Sequence, residues 1–141
     1  RIKKMIYGDE SVTLIPRVAH SEIFNLHEIS DIYVSPNRLA NLTNANLEAM
    51  SSGSCIIIPQ SQPDTFVDIV TDGLLSNAAV YRIKFPPSGG GIAKAIIELS
   101  NSSKLRSTLS NNVVIESGRF ITSWDDRIKR ELQLIESIVI Q

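Results

Sequence analysis

Short apolar runs rich in β-branched residues punctuate the early and middle chain: Val12 to Ile15, Ile32 to Val34, Cys55 to Ile58 and Ala79 to Ile83. They do not alternate apolar with polar positions, as a half-exposed antiparallel strand does. They therefore read as strands of a parallel sheet covered on both faces. Between them the apolar spacing is helical, over Ser21 to Ile29, Asn44 to Ser52 and Thr65 to Thr71. Strand, helix, strand at this interval is the pattern of βαβ units. It predicts an α/β fold, a Rossmann-like doubly wound parallel sheet.

The pattern changes after residue 84. Pro86 to Gly91 reads as a loop, the three glycines Gly89, Gly90 and Gly91 serving as a flexible connection rather than a phosphate loop, since no Lys-Ser/Thr pair follows. Helical spacing then covers Ile92 to Leu99, Lys104 to Glu116 and Trp124 to Val139. Ser123 followed by Asp126 is a capping box that starts the last helix. Its stripe of Ile128, Leu132, Ile135 and Val139 predicts one face packed on the rest of the molecule. The chain reads as one domain over residues 1–141, with a core over 1–84 and C-terminal helices of the same lobe over 85–141.

Composition narrows the picture. The 141 residues suffice for one domain with a real core. Hydrophobic residues make up 43% and charged residues 21%, which suits a folded globular chain and neither a disordered tail nor a coiled-coil rod. No apolar run approaches the about 20 residues that cross a bilayer. Lys and Arg number 14 against 15 Asp and Glu, a net charge of -1, which argues against nucleic-acid binding through bulk charge. The single cysteine, Cys55, can make neither an internal disulfide nor a zinc cluster and reads as a small core residue. His20 and His27 lack metal-ligand spacing to each other or to Cys55, so no metal is expected. The chain opens Arg-Ile-Lys-Lys without a secretory signal, and the reading is a fragment of a longer cytoplasmic protein. On that reading Arg1, Lys3 and Lys4 end a preceding helix.

In an open parallel sheet, ligands bind outside the carboxyl ends of the strands. The loops to weigh follow Val34, Ile58 and Ile83, and the first is the most informative. The strand Asp31 to Val34 runs through Ser35 to Thr43 into a helix from Asn44. Thr43 is a suitable N-cap and Gly53 a suitable left-handed stop. The loop thus delivers the positive end of a helix to the ligand edge, where N–H groups near Asn41 to Asn46 suit a phosphate. Glu48 lies about one turn further in, where a carboxylate could accept hydrogen bonds from two sugar hydroxyls. The plainer alternative is a solvated helix residue. His20 reads as a helix-cap or packing residue rather than a general base. Trp124 reads as a packing anchor. Arg127, Lys129 and Arg130 form a basic cluster that is either a solvated face or a contact for anionic lipid head groups. Asn41-Leu42-Thr43 and Asn101-Ser102-Ser103 match the glycosylation sequon, as chance matches in a chain with no secretory signal.

Three pieces carry a resemblance: Asp31-Ile-Tyr-Val-Ser-Pro36, Leu47-Glu-Ala-Met-Ser-Ser-Gly53 and Val67-Asp-Ile-Val-Thr-Asp-Gly73. Together, at this spacing, they look like the donor-binding C-terminal half of retaining GT-B glycosyltransferases of the family 4 type. Looser similarity extends upstream over Val18 to Asp31 and downstream over Leu105 to Phe120 and Ser123 to Asp126.

The resemblance implies a protein that moves a sugar from a nucleotide-diphosphate donor, such as a UDP- or GDP-sugar, to an acceptor with retained configuration. It implies no other cofactor. Glu48 matches the second of the family's two acids, which bonds the ribose. The first acid, which contacts the donor sugar, falls on Ala40. The family's glycine-bearing turn falls on Asn41, Leu42, Thr43 and Asn44, whose backbone N–H groups would face the diphosphate. Asn41 or Asn44 would offer a replacement contact to the sugar, and Arg38 would assist the leaving group, the plainer alternative being a solvated loop arginine. The family's Gly-Gly turn is replaced by Ser61-Gln62-Pro63. Asp68 matches an acid that caps or orients. Nothing in residues 1–10 matches the family's Arg/Lys pair. The resemblance thus implies most of one lobe of a two-lobed enzyme, inactive alone, whose partners are the nucleotide-sugar donor and a separate N-terminal acceptor-binding lobe. It would sit in the cytoplasm, with possible contact at the inner face of a membrane. The departures at Ala40 and at the glycine turn keep a second reading open: a non-catalytic binding or assembly module of the same fold.

Overall fold

The computed structural model describes residues 9–37, 42–61 and 73–139. Three strands, β1 (Ile32–Val34), β2 (Cys55–Pro59) and β3 (Tyr81–Ile83), form a parallel sheet in the order β1-β2-β3. Ile32 lies beside Cys55, and Ile57 beside Tyr81. Five helices accompany them among the described residues: α1 (His20–Glu28), α2 (Asn44–Ser51), α3 (Gly89–Ser100), α4 (Ser103–Ser117) and α5 (Trp124–Val139). The fold is α/β, and the helix expected over Thr65 to Thr71 lies outside the described residues.

The unbroken apolar run of β2 has a simple cause. All five of its residues are buried, and alternate side chains feed two different cores. Ile56 and Ile58 pack with Ala49 and Met50 of α2 and Val113 of α4. Cys55 and Ile57 pack with Ala95 and Leu99 of α3 and Leu109 of α4. Helices therefore cover both faces of the sheet. Cys55 is a core residue, as its setting in an apolar run suggests. Burial pushes its thiol up to about 11, with the Arg106 charge opposing, so it stays protonated at neutral pH.

Four expectations need correction. Val12 to Ile15 is not a strand: its backbone is irregular, and Val12, Leu14 and Ile15 are exposed. Pro16 cannot donate to a ladder, and Ile15 instead lines a mostly apolar groove of about 470 Å³ with Leu26 and Ile29. Gly89 to Gly91 is not a loop but the first turn of α3, because the Ser88 hydroxyl accepts the Gly91 N–H at 3.1 Å. A satisfied cap and buried Ala95 and Leu99 downstream offset the glycine cost. The apolar stripe of α5 does not pack: Ile128, Leu132 and Ile135 are exposed, and the side chain of Val139 lies outside the described residues. Trp124 is no anchor either; it is exposed, with the Arg127 guanidinium 5.6 Å above its ring. Capping signals are local and hold: Ser123 accepts the Asp126 N–H at 3.1 Å and gives its hydroxyl to the Asp126 carboxylate at 2.7 Å.

One long-range tie fastens α4 to the approach to β3. Glu116 accepts the Ser76 N–H at 2.7 Å and the Ser76 hydroxyl at 2.6 Å. Burial alone would raise this carboxyl, but the two Ser76 bonds and the Arg119 charge outweigh it and hold it below the ordinary range. A depressed folded value means stability present above the unfolded pKa of about 4.3 and lost as pH falls through the folded value. Denaturation midpoints of the wild type and of Glu116→Gln should accordingly differ at pH 6 to 7 and converge in acid below about pH 4. A gap that stays constant into acid would refute this.

Candidate functional site

The candidate site is built where β1 ends. Ser35 continues the ladder by donating its N–H to the Ile57 carbonyl at 2.9 Å, and the chain then enters the loop to α2. Thr43 takes an extended backbone and its hydroxyl accepts the Asn46 N–H at 3.2 Å, which starts α2 as the sequence predicts. The N–H groups of Asn44 and Ala45 have no intrahelical partner. Leu42 packs against the core, so only its backbone is available to a ligand. Asn44 is exposed at the first helical position.

Glu48 is in the second turn of α2. Its side chain is only 17% exposed, and the His20 Nε2 stands 3.0 Å from its Oε1. His20, 77% exposed, is the first residue of α1. It does not cap, since the N-cap is Ala19; the ring turns toward Glu48 and packs with its edge to Phe24. The pair ties the start of one helix to the second turn of another.

Beside it runs a buried polar set. The Tyr33 hydroxyl donates to Asn46 Oδ1 at 3.2 Å, and Asn46 and Ser35 are both buried. Burial raises the Tyr33 phenol, a bond with Ser35 opposes, and the Glu48 charge adds to the rise. Tyr33 therefore remains a neutral donor at physiological pH. On its other side the His27 ring stands edge-on at 5.3 Å, and Ser54 Oγ lies 3.4 Å from His27 Nδ1. A largely covered carboxylate with an exposed imidazole partner, next to a capped helix start, can bind neighbouring hydroxyls once the imidazole moves aside.

No family model, curated protein or solved structure matches this chain. The reading of the site therefore rests on its geometry and on the residues themselves. Of the predicted site residues, the structure places Leu42, Thr43, Asn44 and Glu48 on one loop and helix. Arg38 and Asn41, with Ala40, lie outside the described residues, as do Asp68 and most of the Ser61-Gln62-Pro63 turn. Among the described residues no group of three or more His, Cys, Asp or Glu side chains could hold a metal ion, and no helix is long and apolar enough to cross a membrane.

A polar cavity of about 350 Å³ opens elsewhere, near Asp31 and Cys55, where β1 and β2 begin. Its serine hydroxyls and Arg106 suggest a binding role at first sight. Arg106, however, already donates to the Leu99 and Ser100 carbonyls at 2.6 and 3.0 Å, closing the end of α3. Sequence reasoning missed Tyr33, Ser35, Asn46 and the His20 partnership. For Asn46 a signal existed: it follows the Thr43 cap by three residues, where the backbone N–H is taken and the side chain can turn inward. No local signal links His20 to Glu48.

Proposed function

We propose that this chain is the donor-binding portion of a retaining glycosyltransferase, with a doubly wound GT-B-type lobe that holds a nucleotide-diphosphate sugar. The observation that supports this best is the juxtaposition at the end of β1: a Thr43-capped helix start with unpartnered N–H groups, and Glu48 one turn further in. The N–H groups of Asn44 and Ala45 stabilise the leaving diphosphate electrostatically, without a metal. Glu48 accepts the two ribose hydroxyls of a UDP- or GDP-sugar, displacing the exposed His20 ring. Arg38 adds positive charge from the preceding loop. The acceptor enters from a separate N-terminal lobe, and the assembled protein works in the cytoplasm, at or near a membrane surface.

Ala40 favours a second reading. It stands where the family's sugar-contacting acid belongs, so nucleotide could be held without productive sugar contacts, as in a binding or assembly module. Calorimetry of the chain with UDP, GDP and their hexose conjugates separates the two. Binding of a nucleotide diphosphate at millimolar concentration or tighter is expected, with Glu48→Ala weakening it at least about tenfold, the loss of charge-assisted hydrogen bonds. A conjugate that binds no better than its nucleotide would favour the module. If neither nucleotide binds and Glu48→Ala changes nothing, the donor site is not here.

A further inference from the structure

Helix α5 carries the most exposed apolar surface in the described part of the molecule. Ile128, Leu132 and Ile135 are 38%, 53% and 56% exposed, with Leu134 and Ile138 beside them. No other described element packs on α5 beyond glancing contact. The four-then-three spacing of Ile128, Leu132 and Ile135 is that of a coiled-coil seam. A helix with such a seam open to water is normally covered by another helix.

The charges beside the seam say which one. Lys129 and Glu136 lie along one edge, and Glu131 lies along the other, its carboxylate held by Arg127 Nε at 2.9 Å. Set two copies of α5 antiparallel and Leu132 of each stacks on Ile135 of the other. In that register Lys129 of each copy faces Glu136 of the other, an attraction made twice by the two-fold axis. Set them parallel and Glu131 of one copy meets Glu136 of the other, a like-charge contact. The helix is thus self-complementary in one orientation. An anionic membrane suits it less, because Asp125, Asp126, Glu131 and Glu136 outnumber Arg127, Lys129 and Arg130.

We propose that α5 is a self-association helix, and that the partner covering its apolar face is the α5 of a second copy, packed antiparallel. The proposal is independent of the donor-site reading. The seam is only about three turns long, so the interface falls short of the roughly 1,200 Å² typical of stable complexes. Association is therefore weak and concentration-dependent, with a Kd on the order of 10 μM to 1 mM.

Sedimentation equilibrium of the 141-residue chain over that range tests it, with helicity followed by circular dichroism. The wild type is expected to shift from monomer to dimer. Lys129→Glu and Glu136→Lys should each weaken the dimer about tenfold, since each turns two attractions into repulsions. The double variant should restore it, and Leu132→Asp should abolish it with helicity kept. A chain that stays monomeric throughout overturns the proposal. So do charge variants that change nothing, and so does a Glu136→Lys dimer tighter than wild type, which would mark a parallel pair.

Discussion

Replacing Ile57 with alanine is expected to lower the unfolding free energy by about 2–5 kcal/mol. Ile57 is fully buried in the middle strand, with β1 and β3 on either side. Its side chain packs with Ala95, Leu99 and Leu109 from α3 and α4. Truncation removes apolar contacts and opens a void. Two flanking strands and two helices prevent the walls from closing on it, so the cost falls toward the upper end for such changes. Against a typical total of about 5–15 kcal/mol, that leaves a marginal domain. Urea unfolding should show a lower midpoint with unchanged slope. Ile97→Ala, at a position 61% exposed on α3, should stay within about 0.5 kcal/mol of wild type. Equal losses at the two positions would show that β2 is not the organising strand.

The second large effect is expected at Gly53. After α2 the chain turns sharply into β2 through a Schellman arrangement: the Ser54 N–H donates to the Ala49 carbonyl and the Gly53 N–H to the Met50 carbonyl, each at 3.0 Å. The turn requires φ of +68° at Gly53. Any side chain there adopts the left-handed region, at roughly 1–2 kcal/mol. A Cβ would also stand 3.2 Å from Val114 Cγ2 of α4. Gly53→Val combines strain, crowding and β-branching and should cost about 2 kcal/mol or more. Gly53→Ala combined with Val114→Ala removes the crowding and keeps the strain, so it should recover part of the loss. Full recovery in that pair would mean that the left-handed backbone at Gly53 costs nothing, the result that overturns this expectation.

The elements best read from sequence are those whose signals are local. β2 announced itself because a strand covered on both faces has no polar alternation, and Thr43, Gly53 and Ser123 marked helix ends because capping depends on a few neighbouring residues. Failures share a different origin. Val12 to Ile15 has strand composition, but composition does not supply a strand to pair with, and here Val12, Leu14 and Ile15 stay exposed. Gly89 to Gly91 looked like a breaker, yet the Ser88 cap and the buried face downstream carried the helix back through it. The stripe on α5 marks a helix face but not a buried one, since periodicity says which side is apolar and not what covers it. In the site, Thr43 and Glu48 were legible because cap and carboxylate sit one turn apart on one helix. The His20 contact was not, because it joins two helices separated by a strand, and only tertiary packing decides which residues meet there.

The plain strand order has a bearing on how the molecule assembles. Ile32 pairs with Cys55 and Ile57 with Tyr81, so each parallel pairing closes a loop of about two dozen residues. Closure entropy grows only slowly with length, so the two events cost nearly the same. Neither pairing spans the whole chain, and each strand joins a neighbour made immediately before it. The sheet can therefore grow stepwise in the direction of synthesis, with the central strand as the common partner of both steps and the contact order held well below that of a sheet whose strands interleave.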